Sequence, residues 1–239
     1  MKKTGLAALG LGLAICGMGT ATVSADVIAY WDQNSNTLTG GGFGFEVGDF
    51  PQAADVGTGS LTLQNFVGNA DGSGVYGNIT SSVGTTENAQ PSVTSGGSLT
   101  IRRGTTTGGA STNNGASIWL SASTIGLEDI IVSWAQRGTS TGFDSRVFAY
   151  STNGIDFTDF GTDSGDLTST WETESYDLSA ISALENVSTV YFRITLNGAT
   201  GTTGNNRFDN ITIEGSAIPE PASLALLGFG GLVALSRRK

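Results

Sequence analysis

Apolar residues in the central part of the chain recur at every second position. Leu61 and Leu63 form one such pair, Leu99 and Ile101 a second, and Ile118 and Leu120 a third. Ile130, Val132 and Trp134 share one side of a segment whose other side carries Ile131, Ser133 and Ala135. The cleanest alternation is Val190, Phe192, Ile194 and Leu196 against Tyr191, Arg193 and Thr195, and Phe208, Ile211 and Ile213 close the series. A period of two is that of β-strands with one face buried. The spacers at 40–44, 72–77, 104–115 and 198–206 are rich in Gly and Asn, residues that tolerate the backbone of tight turns. Roughly ten strands at this spacing predict an all-β domain, an antiparallel β-sandwich of jelly-roll type. A turn or two of helix is expected only around 178–184, with Asp177 or Ser179 as its cap.

The two ends break this pattern. Lys2 and Lys3 precede an apolar run, and Val23-Ser24-Ala25 supplies small residues before Asp26. Charge, apolar core and small residues in that order predict a secretory signal peptide over 1–25, cleaved after Ala25. Cys16 lies inside the apolar run behind Ile15, where lipidation requires a small residue, so it reads as one more apolar position. At the other end stand Pro219-Glu220-Pro221, an apolar stretch at 222–235, and Arg237-Arg238-Lys239. As a helix the stretch reaches about 21 Å, short of the ~30 Å hydrocarbon core unless the bilayer thins or the arginines snorkel. The basic tip places the terminus on the cytoplasmic side.

Motif, apolar helix and basic tip at the extreme C-terminus resemble the PEP-CTERM sorting signal of Gram-negative bacteria. The resemblance implies recognition of Pro219, Glu220 and Pro221 by an exosortase, a membrane-embedded cysteine transpeptidase. It also implies an inner-membrane-anchored precursor that is processed and delivered to the cell surface or an extracellular polysaccharide matrix. The expected organisation is a signal peptide at 1–25, a β-sandwich at 26–216 and the sorting signal at 217–239. Expected partners are signal peptidase and the secretion machinery, the exosortase, the membrane and a polysaccharide.

Charge narrows the chemistry. The chain carries a formal −10, but five of its eleven basic residues lie in the two ends and only Glu220 of its 21 acidic ones does. The central domain thus sets 6 arginines against 20 acids, a formal −14, which disfavours nucleic acid and anionic membranes as partners. Histidine is absent and Cys16 is the sole cysteine, so His-assisted nucleophiles, His or Cys zinc sites and intrachain disulfides are excluded. Glycosidase chemistry needs two carboxyl groups in one cleft. Asp144, Asp156, Asp159, Asp163, Asp166, Glu172 and Glu174 are available, but no pair stands out, and most fall in segments that read as loops. No enzymatic activity is expected.

From Phe148 the order Tyr150-Ser151-Thr152-Asn153-Gly154, Phe157 to Phe160, Trp171, Tyr176 to Ser179, Val190 to Ile194 and Arg207 to Ile211 is similar to the second half of galactose-binding and carbohydrate-binding-module jelly rolls. Two kinds of site follow as expectations. Hard oxygen ligands at Asp32, Asn34 and Asn36, and at Asp209 and Asn210, suit a structural calcium ion, although Phe43 stands where a calcium loop needs its Glu. Sugar stacking needs exposed aromatics; Trp171 is the most exposed of the four tryptophans by pattern, Trp119 is next, and Trp134 reads as core. The function expected is a non-catalytic exported surface or matrix protein serving adhesion or exopolysaccharide association. The alternative is a carbohydrate-binding module or cryptic polysaccharide hydrolase.

Overall fold

The computed structural model describes residues 25–34, 44–46, 49–67, 75–104 and 112–219. The expected signal peptide before Ala25, Asn36, and the tail from Glu220 through Pro221 to Arg237, Arg238 and Lys239 lie outside them. Among the described residues no helix is long and apolar enough to cross a membrane.

Two antiparallel sheets make a β-sandwich. The first contains β1 (Asp26–Trp31), β2 (Gly44–Glu46), β4 (Val56–Gly57), β6 (Val75–Val83), β7 (Gly97–Arg102), β9 (Leu127–Gly138), β12 (Glu172–Asp177) and β14 (Asn205–Ala217). Its order is β12-β9-β14-β7-β6-β2, with β1 against β14 and β4 against β1. The second contains β3 (Gln52–Ala53), β5 (Gly59–Gln64), β8 (Ser117–Ala122), β10 (Ser145–Ser151), β11 (Thr158–Ser164) and β13 (Val190–Asn197), in the order β11-β10-β13-β8-β5-β3. The strands beyond the roughly ten expected include β2, β3 and β4, of two or three residues each, too short to leave an alternating pattern.

The alternation seen in the sequence is the wall of the core. Val190, Phe192, Ile194 and Leu196 of β13 face Ile130, Val132 and Trp134 of β9 and Phe208, Ile211 and Ile213 of β14 in one buried cluster. Burying such side chains is worth roughly 1.5–3 kcal/mol each and drives closure of the sheets. The expected helix is reduced to a single 3₁₀ turn, Ser182–Leu184, with Leu184 buried. Asp177 does cap a turn, its Oδ1 accepting from Ser179 N at 2.9 Å.

One expectation is corrected. Asp159 and Asp163 lie on β11, and Glu172 and Glu174 on β12, rather than in loops. Both are edge strands, where polar residues predominate and Phe160 and Tyr176 are the only large apolar side chains, so the period-two signal disappears.

Candidate functional site

The outer face of the second sheet collects aromatic and polar groups. Arg193 of β13 lies opposite Trp119 of β8 in register, and Tyr191 lies opposite Ser121. Trp119 is half-buried, and its indole N–H donates to Ser117 Oγ at 2.8 Å. Phe157 packs on Trp119 with ring centroids 4.7 Å apart, and the Arg193 guanidinium sits 4.3 Å from the Phe157 centroid. Asp159 Oδ1 completes the group at 3.7 Å from Arg193 Nη2.

Phe157 reaches this face through a local turn. Ser151 Oγ accepts from Asn153 N and Gly154 N, and Asn153 Oδ1 accepts from Ile155 N and Asp156 N, both at 2.9 Å. Gly154 holds φ +70, and a Cβ there would press within 3.1 Å of the Tyr191 ring. The same face runs on into a shallow groove of about 360 Å³ lined by hydroxyl-bearing Thr58, Ser60, Ser121, Ser123, Ser188 and Thr189. An aromatic platform, a fixed cation and a row of hydroxyls are groups that bind sugars.

The other sugar-binding candidate, Trp171, belongs to the opposite side of the sandwich. It is half-buried, as Trp119 is, and the Arg137 guanidinium lies 5.7 Å from its ring centroid. Trp134 is fully buried, as its alternation predicts.

The four described calcium candidates, 177 residues apart between Asp32 and Asp209, meet around the segment joining β6 to β7. Asp209 is buried; its Oδ2 accepts from Thr85 N at 2.7 Å and its Oδ1 from Asn210 N at 2.8 Å. Burial nevertheless raises its pKa to about 7, and the charge of Asp32 adds to the rise. A side chain at Gly84 would collide with Asp209 Oδ2 and the carbonyl oxygens of Ser95 and Gly97, so these three oxygens crowd one point. The two asparagines are engaged differently. Asn34 donates to Thr94 O and accepts from Gly97 N, while Asn210 donates to Thr85 O and Glu87 O and accepts from the Tyr30 hydroxyl. Asp32 Oδ1 accepts from Asn34 N. Among the described residues no three Asp or Glu gather closely enough to hold a metal by carboxylates alone.

Of the acids surveyed for hydrolysis, Asp163 is committed to structure. Its Oδ2 accepts from Arg146 Nε at 2.7 Å and from Gln136 Nε2 at 2.7 Å, with Arg146 buried. Burial by itself would raise its pKa, but these bonds and the guanidinium charge hold it below the usual carboxylate value. Glu174, by contrast, is pushed up by burial and by the charges of Asp163 and Glu172.

Residues 217–239 match the PEP-CTERM protein-sorting motif. Of the motif's triplet, Pro219 is exposed two residues after β14 ends at Ala217; Glu220 and Pro221 lie beyond the described residues. The motif marks an exported chain processed by an exosortase. Among curated proteins, none matches the sequence. Solved structures similar to this chain include the CBM22-1 xylan-binding domain of Paenibacillus barcinonensis Xyn10C, at 12% identity and TM-score 0.44, covering 83% of this chain and 100% of that one. The K1 cleaved adhesin domain of Lys-gingipain from Porphyromonas gingivalis W83 is 14% identical, with TM-score 0.42 and coverages of 80% and 98%. TmCBM61, solved with β-1,4-galactotriose, is 6% identical, with TM-score 0.39 and coverages of 65% and 86%.

Proposed function

We propose that this protein is a non-catalytic component of the cell surface or extracellular matrix, delivered by exosortase processing of its C-terminal signal and associating with polysaccharide through the Trp119 face. The match of residues 217–239 to the sorting motif carries the delivery half of this reading. The binding half rests on Trp119, Phe157, Arg193 and Tyr191 standing together beside a hydroxyl-lined groove. Delivery is tested by removing residues 217–239 and fractionating cells. The truncated chain should accumulate in the periplasm or medium without reaching the surface, and unchanged surface delivery would overturn the reading.

A structural calcium ion is part of the same proposal. The donor set fits a hard cation: a buried carboxylate at Asp209, the Ser95 and Gly97 carbonyls crowding it, and Asp32 close enough to disfavour its ionisation. Asp209 and the two carbonyls would hold the ion, and its charge would compensate a carboxylate that is costly to bury alone. Asn34 and Asn210 would tie down the surrounding chain, as their bonds to Thr94, Gly97, Thr85 and Glu87 indicate.

A further inference from the structure

The outer face of the first sheet carries a second arrangement that the Trp119 face does not use. Arg137 of β9 and Arg207 of β14 are direct register partners, so both side chains leave the same face of neighbouring strands. Arg207 is also the partner of Thr100 on β7, which in turn pairs with Thr80 on β6. Trp171, immediately before β12, lies against Arg137. A single row therefore runs from Trp171, just before β12, across four strands: Arg137, Arg207, Thr100, Thr80. At ~4.8 Å between strands it spans about 19 Å. One step along the row, Arg102 of β7 pairs with Asn205 of β14 and adds a third guanidinium.

Like charges placed opposite each other across an antiparallel pair are destabilising. Three of the domain's 6 arginines nevertheless gather here, in a body of 20 acids, and among the described residues none of the three forms an ion pair. Both ion pairs found among the described residues, Arg146 with Asp163 and Arg193 with Asp159, lie elsewhere. Arg207 feels burial first and then only the repulsion of Arg137 and Arg102. Beside it, the hydroxyl oxygens of Thr100 and Thr80 are buried without a hydrogen-bond partner among the described residues, and Thr100 is 1% exposed. Cations without an ion-pair partner and an aromatic ring in one line suit a ligand that brings negative charge and a flat apolar face.

We propose that this row binds a carboxylate-bearing polysaccharide of the uronate type, in an extended conformation, on the side of the sandwich opposite Trp119. The guanidinium fork matches a carboxylate in a bidentate manner, and Trp171 offers a stacking surface for a ring. Nucleic acid fits poorly. Its charge density of one per about 1.7 Å would expose most of its phosphates to the −14 body, whereas a uronate chain bears one charge per sugar. The inference deepens the polysaccharide reading by naming a ligand class, and it uses none of the residues of the Trp119 face.

The test uses the full-length chain in non-ionic detergent, run on native gels cast with polygalacturonate, with fully methyl-esterified polygalacturonate or with dextran sulfate. Polygalacturonate should retard the protein, the esterified polymer should not, and about 0.5 M salt should abolish the retardation. Arg137→Ser with Arg207→Ser should weaken the apparent affinity by at least about tenfold. Because the change relieves repulsion, the Tm of that variant should be unchanged or raised. Trp171→Ala should weaken binding as well, and Trp119→Ala should leave it intact. Absence of retardation, equal retardation in the double variant, or equal retardation by dextran sulfate would overturn the assignment. Loss of polygalacturonate binding in Trp119→Ala would do the same while leaving the Trp119 reading standing.

Discussion

At the scale of single residues, three side chains hold most of the chemistry. Arg146 is buried and anchors Asp163, so Arg146→Ala strands a carboxylate at the sheet edge and should cost about 3 kcal/mol, read from urea unfolding. Asp163 has a folded pKa below its unfolded value. Its contribution is therefore present above the usual carboxylate pKa and is lost as pH falls through the folded value. Wild type should lose stability on acidification through that window, and the part due to Asp163 should be missing in Arg146→Ala. Trp119→Ala should remove binding to arrayed neutral oligosaccharides without changing the Tm, because the ring lies on the outer face; an array that registers no wild-type binding contradicts the platform. Asp209 is the third. Calcium should raise the Tm and chelator lower it, and Asp209→Asn should abolish the response; a Tm indifferent to both disproves the ion.

Among the elements, legibility followed burial. β13 was plain in the sequence because one face meets the core and the other meets water, which stamps period two on Val190 to Leu196. β11 and β12 were not, since edge strands carry acids on both faces and read as turns. The segment joining β6 to β7 was equally hidden. Polar and irregular, it is fixed by a partner more than a hundred residues away: Asn210 donates to Thr85 O and Glu87 O, and its own carbonyl accepts from Asn88 Nδ2. Asn210 itself sits at φ 49, a conformation Asn tolerates and Ala resists. Asn210→Ala should therefore cost about 2 kcal/mol and accelerate amide exchange across 84–96 well ahead of β13.

The candidate sites show the same division. Trp119 was legible as an ambiguous aromatic, and Asp32, Asn34, Asp209 and Asn210 as a calcium-like set, because residue type alone suggests such chemistry. Phe157 and Arg193 were not, since they meet Trp119 only through an Asn-Gly turn and a strand register. The row of Arg137, Arg207 and Thr100 was invisible for a like reason. Its members are scattered over more than a hundred residues and become neighbours only because β14 lies between β9 and β7.

For the whole molecule, an acidic sandwich free of histidine is joined to a short terminal motif that carries its address. The sandwich presents two chemically distinct faces, aromatic and hydroxyl-rich on one sheet, cationic on the other, which suits a protein bridging neutral and charged polymers outside the cell. The most direct measurement is the fate of the chain in its own host with and without the exosortase, followed by fractionation and by mass analysis of its C-terminus. With the enzyme, the protein should be found outside the inner membrane and lack residues after the processing site; without it, uncleaved chain should remain in the inner membrane. Identical C-termini and identical surface delivery in both strains would contradict the account.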